Sequence, residues 1–142
     1  MAIAEAKLQE IPQPAETIFN ILFNQIEYGC ERGEAAITKL GRLGFEVNQA
    51  RFLTSGNEEY KEKAQFYKLV WLGNRSQKFV FCLQRASELR GFAKEAQAHT
   101  DSFSQQGMKQ HASLYKHIAT DFQRFAANWA NALIPKRLLT QT

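Results

Sequence analysis

Apolar side chains recur at three- and four-residue intervals through most of this 142-residue chain, the spacing that aligns them on one face of an α-helix. The clearest stretch lies near the C-terminus. Leu114 or Tyr115, Ile118, Phe122, Phe125, Trp129 and Leu133 keep the rhythm for about five turns, with Lys116, Asp121, Arg124, Asn128 and Asn131 between them. Pro135 predicts the stop, because the residue before a proline disfavours helical dihedrals. Phe79, Cys82, Ala86, Leu89 and Ala93 predict a second helix over 76–98, and the small polar run 100–107 predicts a loop after it.

Upstream, Ile18, Leu22 and Ile26, joined by Phe19 and Phe23, predict a helix from Ala15. Pro14 suits its first turn and Glu16 the positive end of its dipole. Ile37, Leu40, Leu43 and Val47 continue the period, but Gly29, Gly33, Gly41 and Gly44 interrupt it. Each glycine costs about 1 kcal/mol relative to Ala inside a helix. The segment reads as one bent helix or as two, broken near Gly29–Gly33. Thr54-Ser55-Gly56-Asn57 is a loop whose Asn57 caps a helix carrying Tyr60, Ala64, Tyr67 and Trp71. Gly73-Asn74 either ends that helix, which is the preferred reading, or lies within one that continues to about Ala98. No segment alternates with period two. The expected fold is all-α, a four- or five-helix bundle forming one domain over 1–142, with 1–13 as a short helix or loose arm and 135–142 as a frayed tail.

Charge sharpens this picture. Residues 1–62 hold six Lys/Arg and ten Asp/Glu, and residues 63–142 hold twelve and four. The halves therefore carry −4 and +8, although the whole chain carries only +4. Between Lys63 and Lys94, seven cations (Lys63, Lys68, Arg75, Lys78, Arg85, Arg90 and Lys94) face one acid, Glu88, and are interleaved with six aromatic residues. A surface so biased suits a polyanion.

Other chemistries find no pattern here. Cys30 and Cys82 stand apart without a CxxC or a nearby histidine, which argues against a disulfide framework and fits a reducing compartment. His111 and His117 are six residues apart, on opposite sides of a helix, so no metal centre is expected. There is no phosphate-binding glycine loop, and the nine-residue separation of Arg90 and His99 does not suit the Arg–His pair of small helical ribonucleases. The expectation is a protein that is not an enzyme and needs no cofactor. The N-terminus lacks a secretion signal, and no apolar run approaches the roughly 20 residues that span a bilayer, so cytoplasmic placement without a membrane partner is expected.

Lys61, Lys68, Arg75, Lys78, Arg85, Arg90 and Lys94 are the candidate nucleic-acid-binding residues. Cations spaced along helices suffice for phosphate contact, each releasing counterions. Tyr60, Tyr67 or Phe92 would add base stacking if exposed, though their helical spacing also suits core packing. The basic Lys61–Lys94 segment and the amphipathic Leu114–Leu133 helix, in a chain of this size, resemble the small subunits of Cascade-type CRISPR effector complexes. That resemblance implies a non-catalytic subunit of a ribonucleoprotein. Its basic segment would contact the backbone of guide RNA or target DNA, and its acidic half would contact other protein subunits or copies of itself. The alternative is an oligomeric helical scaffold or adaptor whose basic face meets an acidic protein.

Overall fold

The computed structural model describes residues 13–135 together with 138. The arm and tail expected over 1–13 and 135–142 fall outside these residues, apart from Gln13, Pro135 and Leu138. The described residues form five helices: α1 (Gln13–Glu27), α2 (Glu34–Ser55), α3 (Glu58–Leu72), α4 (Arg75–Gln105) and α5 (Lys109–Ala130). No strand occurs among the described residues. The fold is an all-α helical bundle.

The breaks have local causes. Gly29 and Gly33 adopt φ of 81° and 108°, values that L side chains rarely take, and they separate α1 from α2. Asn57 caps α3, its side chain accepting from the Glu59 N–H. Asn74 and Gln77 form a reciprocal capping box at the start of α4, so α3 and α4 are separate helices meeting at Gly73-Asn74.

Two helical hairpins make up most of the molecule, α2 against α3 and α4 against α5, with α1 packed across both. At Gly41 an added Cβ would lie 2.5 Å from the Trp71 backbone nitrogen, and at Gly44 it would lie 2.5 Å from the Tyr67 ring. Neither glycine breaks α2. Their missing side chains are what bring α3 close, correcting the expectation that they interrupt the helix.

The loop expected over 100–107 is also corrected. The α4 helix continues to Gln105, and only 106–108 turn the chain. Thr100 stays helical by returning its hydroxyl to the Ala96 carbonyl at 2.9 Å, and Phe103 stacks on Tyr115 across the hairpin. The resulting α4 is about 46 Å long.

The main core sits at one end of the bundle, joining Leu22, Ile26, Ile37, Leu40, Leu43, Val70, Phe81, Leu89 and Leu133 around Trp129. Trp129 has no exposed surface. Its ring meets Phe23 at 4.9 Å and Phe81 edge-on at 5.6 Å. Beyond Leu89 the α4/α5 seam is built from small residues, Ala93, Ala96, Thr100 and Ala119, and its ring pairs join only these two helices.

Candidate nucleic-acid interface

The structure divides the seven candidate cations into three groups. Lys61 and Lys68 are exposed on α3, seven residues apart and hence on one face. Each ammonium lies 5.8 Å from a ring centroid on α2, Lys61 over Phe52 and Lys68 over Phe45. Both therefore lie on the outside of the α2/α3 hairpin. Lys63, two residues from Lys61, is exposed beside Tyr60.

Arg75, Lys78 and Arg85 are engaged within the fold. Lys78 is only 5% exposed. Its Nζ donates to the Gly73 carbonyl at 2.7 Å and the Trp71 carbonyl at 3.3 Å. These carbonyls belong to the C-terminal end of α3, where the helix leaves acceptors unpaired and the dipole is negative. Arg75, though exposed, donates to the Leu133 carbonyl at 2.8 Å. Arg32 donates to Asn131 and the Gly33 N–H to Ala132, so three consecutive carbonyls after α5 are satisfied from outside that helix.

Arg85 is neutralised by one carboxylate from each half of the chain. Its guanidinium meets Glu27 at 2.8 Å and Glu88 at 3.1 Å, and lies 5.1 Å over the Phe23 ring. The expectation that Lys78 and Arg85 face phosphates is thereby corrected. Lys78 closes a helix end, and Arg85 ties α4 to α1.

Arg90 and Lys94 are exposed on the outward part of α4. They border a groove with Ala93, Gln97 and Gln123, which fixes the side of α5 that shares their face. Lys109, Lys116 and Gln123 follow at seven-residue intervals and therefore extend that side along α5. Arg90, Lys94, Lys109 and Lys116 are all exposed, and none has a carboxylate partner among the described residues. Asp101 is the acid at matching spacing on α4, hydrogen-bonded to Gln97. Lys109 and Lys116 lie outside the Lys63–Lys94 tract, and their share in this face is visible only once the hairpin pairs the two helices. Phe92, 43% exposed, lies on the other side of α4, against Phe122.

A separate cleft of about 310 Å³ opens where α3 diverges from α4. Phe19, Phe23, Phe66, Tyr67 and Phe81 supply its aromatic walls, with Asn48, Arg51, Lys63, Gln84, Arg85 and Glu88 among them. Arg51 is paired with Glu16. Burial raises the Tyr67 phenol above its ordinary value of 10.0, against the lowering effect of Arg85, so the hydroxyl stays protonated.

Burial also pushes the Cys82 thiol from 9.0 up to about 12, leaving it a core side chain rather than a nucleophile. Cys30 is exposed. No cluster of three or more metal-ligating side chains occurs among the described residues, and no described helix is long and apolar enough to cross a membrane. Comparison with protein-family models, curated proteins and solved structures gives no match to this chain.

Proposed function

We propose that this chain is a non-catalytic, nucleic-acid-binding helical subunit that contacts phosphate backbones without reading sequence. This is the role implied by its resemblance to Cascade-type small subunits. The observation that carries the reading is the outer face of the α4/α5 hairpin, where Arg90, Lys94, Lys109 and Lys116 stand exposed without carboxylate partners among the described residues. Lys61 and Lys68 add a second, smaller basic edge on α3. Gln123 beside these cations offers a neutral donor to phosphate oxygens, while the Gln97 amide donates to Asp101, the acid on that side.

The test is binding to single- and double-stranded oligonucleotides across a salt series, for the wild type and for R90E/K94E/K109E/K116E. Four phosphate contacts on duplex DNA give a slope of log affinity against log salt near −3.6, taken as about −0.9 per contact. The variant should lose most of both affinity and slope while keeping its helical circular dichroism. Unchanged binding would exclude this face. Binding to an acidic protein but to no nucleic acid would favour the adaptor reading instead.

A further inference from the structure

The α1 helix is apolar on two sides. Its inner face, Phe19, Leu22, Phe23 and Ile26, belongs to the core. Ile18, Ile21 and Tyr28 lie on the outer side and are 43%, 51% and 58% exposed. The Tyr28 N–H still donates to the Asn24 carbonyl at 2.8 Å, so the helical register carries through it. With the exposed Gln25, these residues follow a spacing of three, four and three, the a and d positions of a heptad. A helix that is apolar all round is normally one that is covered.

Charge is missing from the same strip. The seven exposed residues between Ala15 and Tyr28 are Thr17, Ile18, Asn20, Ile21, Asn24, Gln25 and Tyr28, with no Lys, Arg, Asp or Glu among them. The two acids of the helix are engaged elsewhere, Glu16 with Arg51 and Glu27 with Arg85. Interface cores show this depletion of charge. It also bears on what covers the strip. A two-fold contact between copies sets each residue near its own twin, so a face of one charge sign repels itself, the α4/α5 cations most of all. The α1 strip meets itself without that repulsion, and the Gln25 amide, both donor and acceptor, can satisfy an identical amide.

The available area sets the strength. At roughly 200 Å² for a fully exposed large side chain, Ile18, Ile21 and Tyr28 offer about 300 Å² per copy. Their four polar neighbours raise this to about 500 Å², or about 1,000 Å² for a pair, the lower bound of specific interfaces.

We propose that α1 is a self-association surface, through which two copies of this chain pair across a two-fold axis by their Ile18–Ile21–Gln25–Tyr28 strips, with micromolar affinity. The strip contains none of the cations assigned to phosphate contact, so the pairing and the nucleic-acid face stand or fall separately.

Sedimentation of the full chain from about 1 μM to about 1 mM should show a monomer–dimer equilibrium. Ile21→Glu and Ile21→Lys each set like charges across the axis and should weaken pairing about a hundredfold or more. Both should melt at the wild-type temperature at low concentration, since Ile21 is exposed. An equimolar mixture of the two should form dimers again, because opposite charges then face each other. Only a contact of residue 21 with its own counterpart gives that result. R90E/K94E/K109E/K116E should pair like the wild type. A wild type that stays monomeric at the highest concentration would overturn the proposal and leave the strip to a different protein. Dimers that survive both substitutions would place self-association on another face. Two monomeric variants that do not associate on mixing would exclude the two-fold contact.

Discussion

Glu27 Oε1 accepts a 3.0 Å hydrogen bond from the Trp129 indole Nε1, joining the last turn of α1 to the residue at the centre of the core. The same oxygen accepts from Arg85 Nε and Nη2, and the Asn128 amide donates to the Glu27 carbonyl. Glu27→Ala would leave a buried indole N–H and a half-buried guanidinium without their acceptor. Stability in urea should fall by about 2–4 kcal/mol, with Glu27→Gln losing less because it keeps an acceptor. An alanine variant as stable as the wild type would show that α1 is held by its apolar contacts alone.

Gly41→Ala and Gly91→Ala should act in opposite directions. Both sites are helical and both gain about 1 kcal/mol of helix propensity. At Gly41 the new methyl meets the backbone of Val70 and Trp71, which cannot swing aside, and overpacking should cost about 1–3 kcal/mol net. Gly91 has open space around it, so its variant should melt higher.

Such glycines mark how much of the molecule was legible in its sequence. Ile37, Leu40, Leu43 and Val47 fall on a period of three and four, and all are buried as that period requires. The breaks at Gly29–Gly33 and Gly73-Asn74 could be read because turn and cap chemistry is local. By contrast, Gly41 and Gly44 were misread because their role is to admit a partner helix. The end of α4 was misread because polar residues such as Thr100 and Ser102 say little about helix when Phe103 has a distant ring to stack on. The same limit applied to the cations. Composition located the basic tract, but only the fold decides that Lys78 points at carbonyls and that Arg90 shares a face with Lys116.

Lys78→Met tests that division directly. It leaves the Trp71 and Gly73 carbonyls without their donor and should cost about 1–3 kcal/mol of stability. The salt slope of nucleic-acid binding should not change, since the ammonium is not at the surface. A shallower slope at equal stability would return Lys78 to the interface.

The two thiols should separate cleanly. Cys30 should react with a disulfide reagent in the native protein, and Cys82 only after denaturant is added. Because the folded pKa of Cys82 lies at about 12 against an ordinary 9.0, the native state retains a proton that the unfolded chain releases in that interval. This contribution to stability is complete below pH 9 and is lost as pH rises towards 12. The stability advantage of the wild type over Cys82→Ala should therefore shrink across that window in urea titrations. A constant difference would place the thiol in a wetter setting.

The two-helix overhang beyond Leu89 has only its own seam to hold it, buried alanines and a threonine flanked by the ring pairs of Phe92, His99 and Phe103 with the facing helix. Amide exchange should therefore quicken steadily from the tryptophan outward, with the turn at 106–108 opening long before the rest. That turn is also where foreign sequence, a protease cut or a new pair of chain ends would disturb the remainder least.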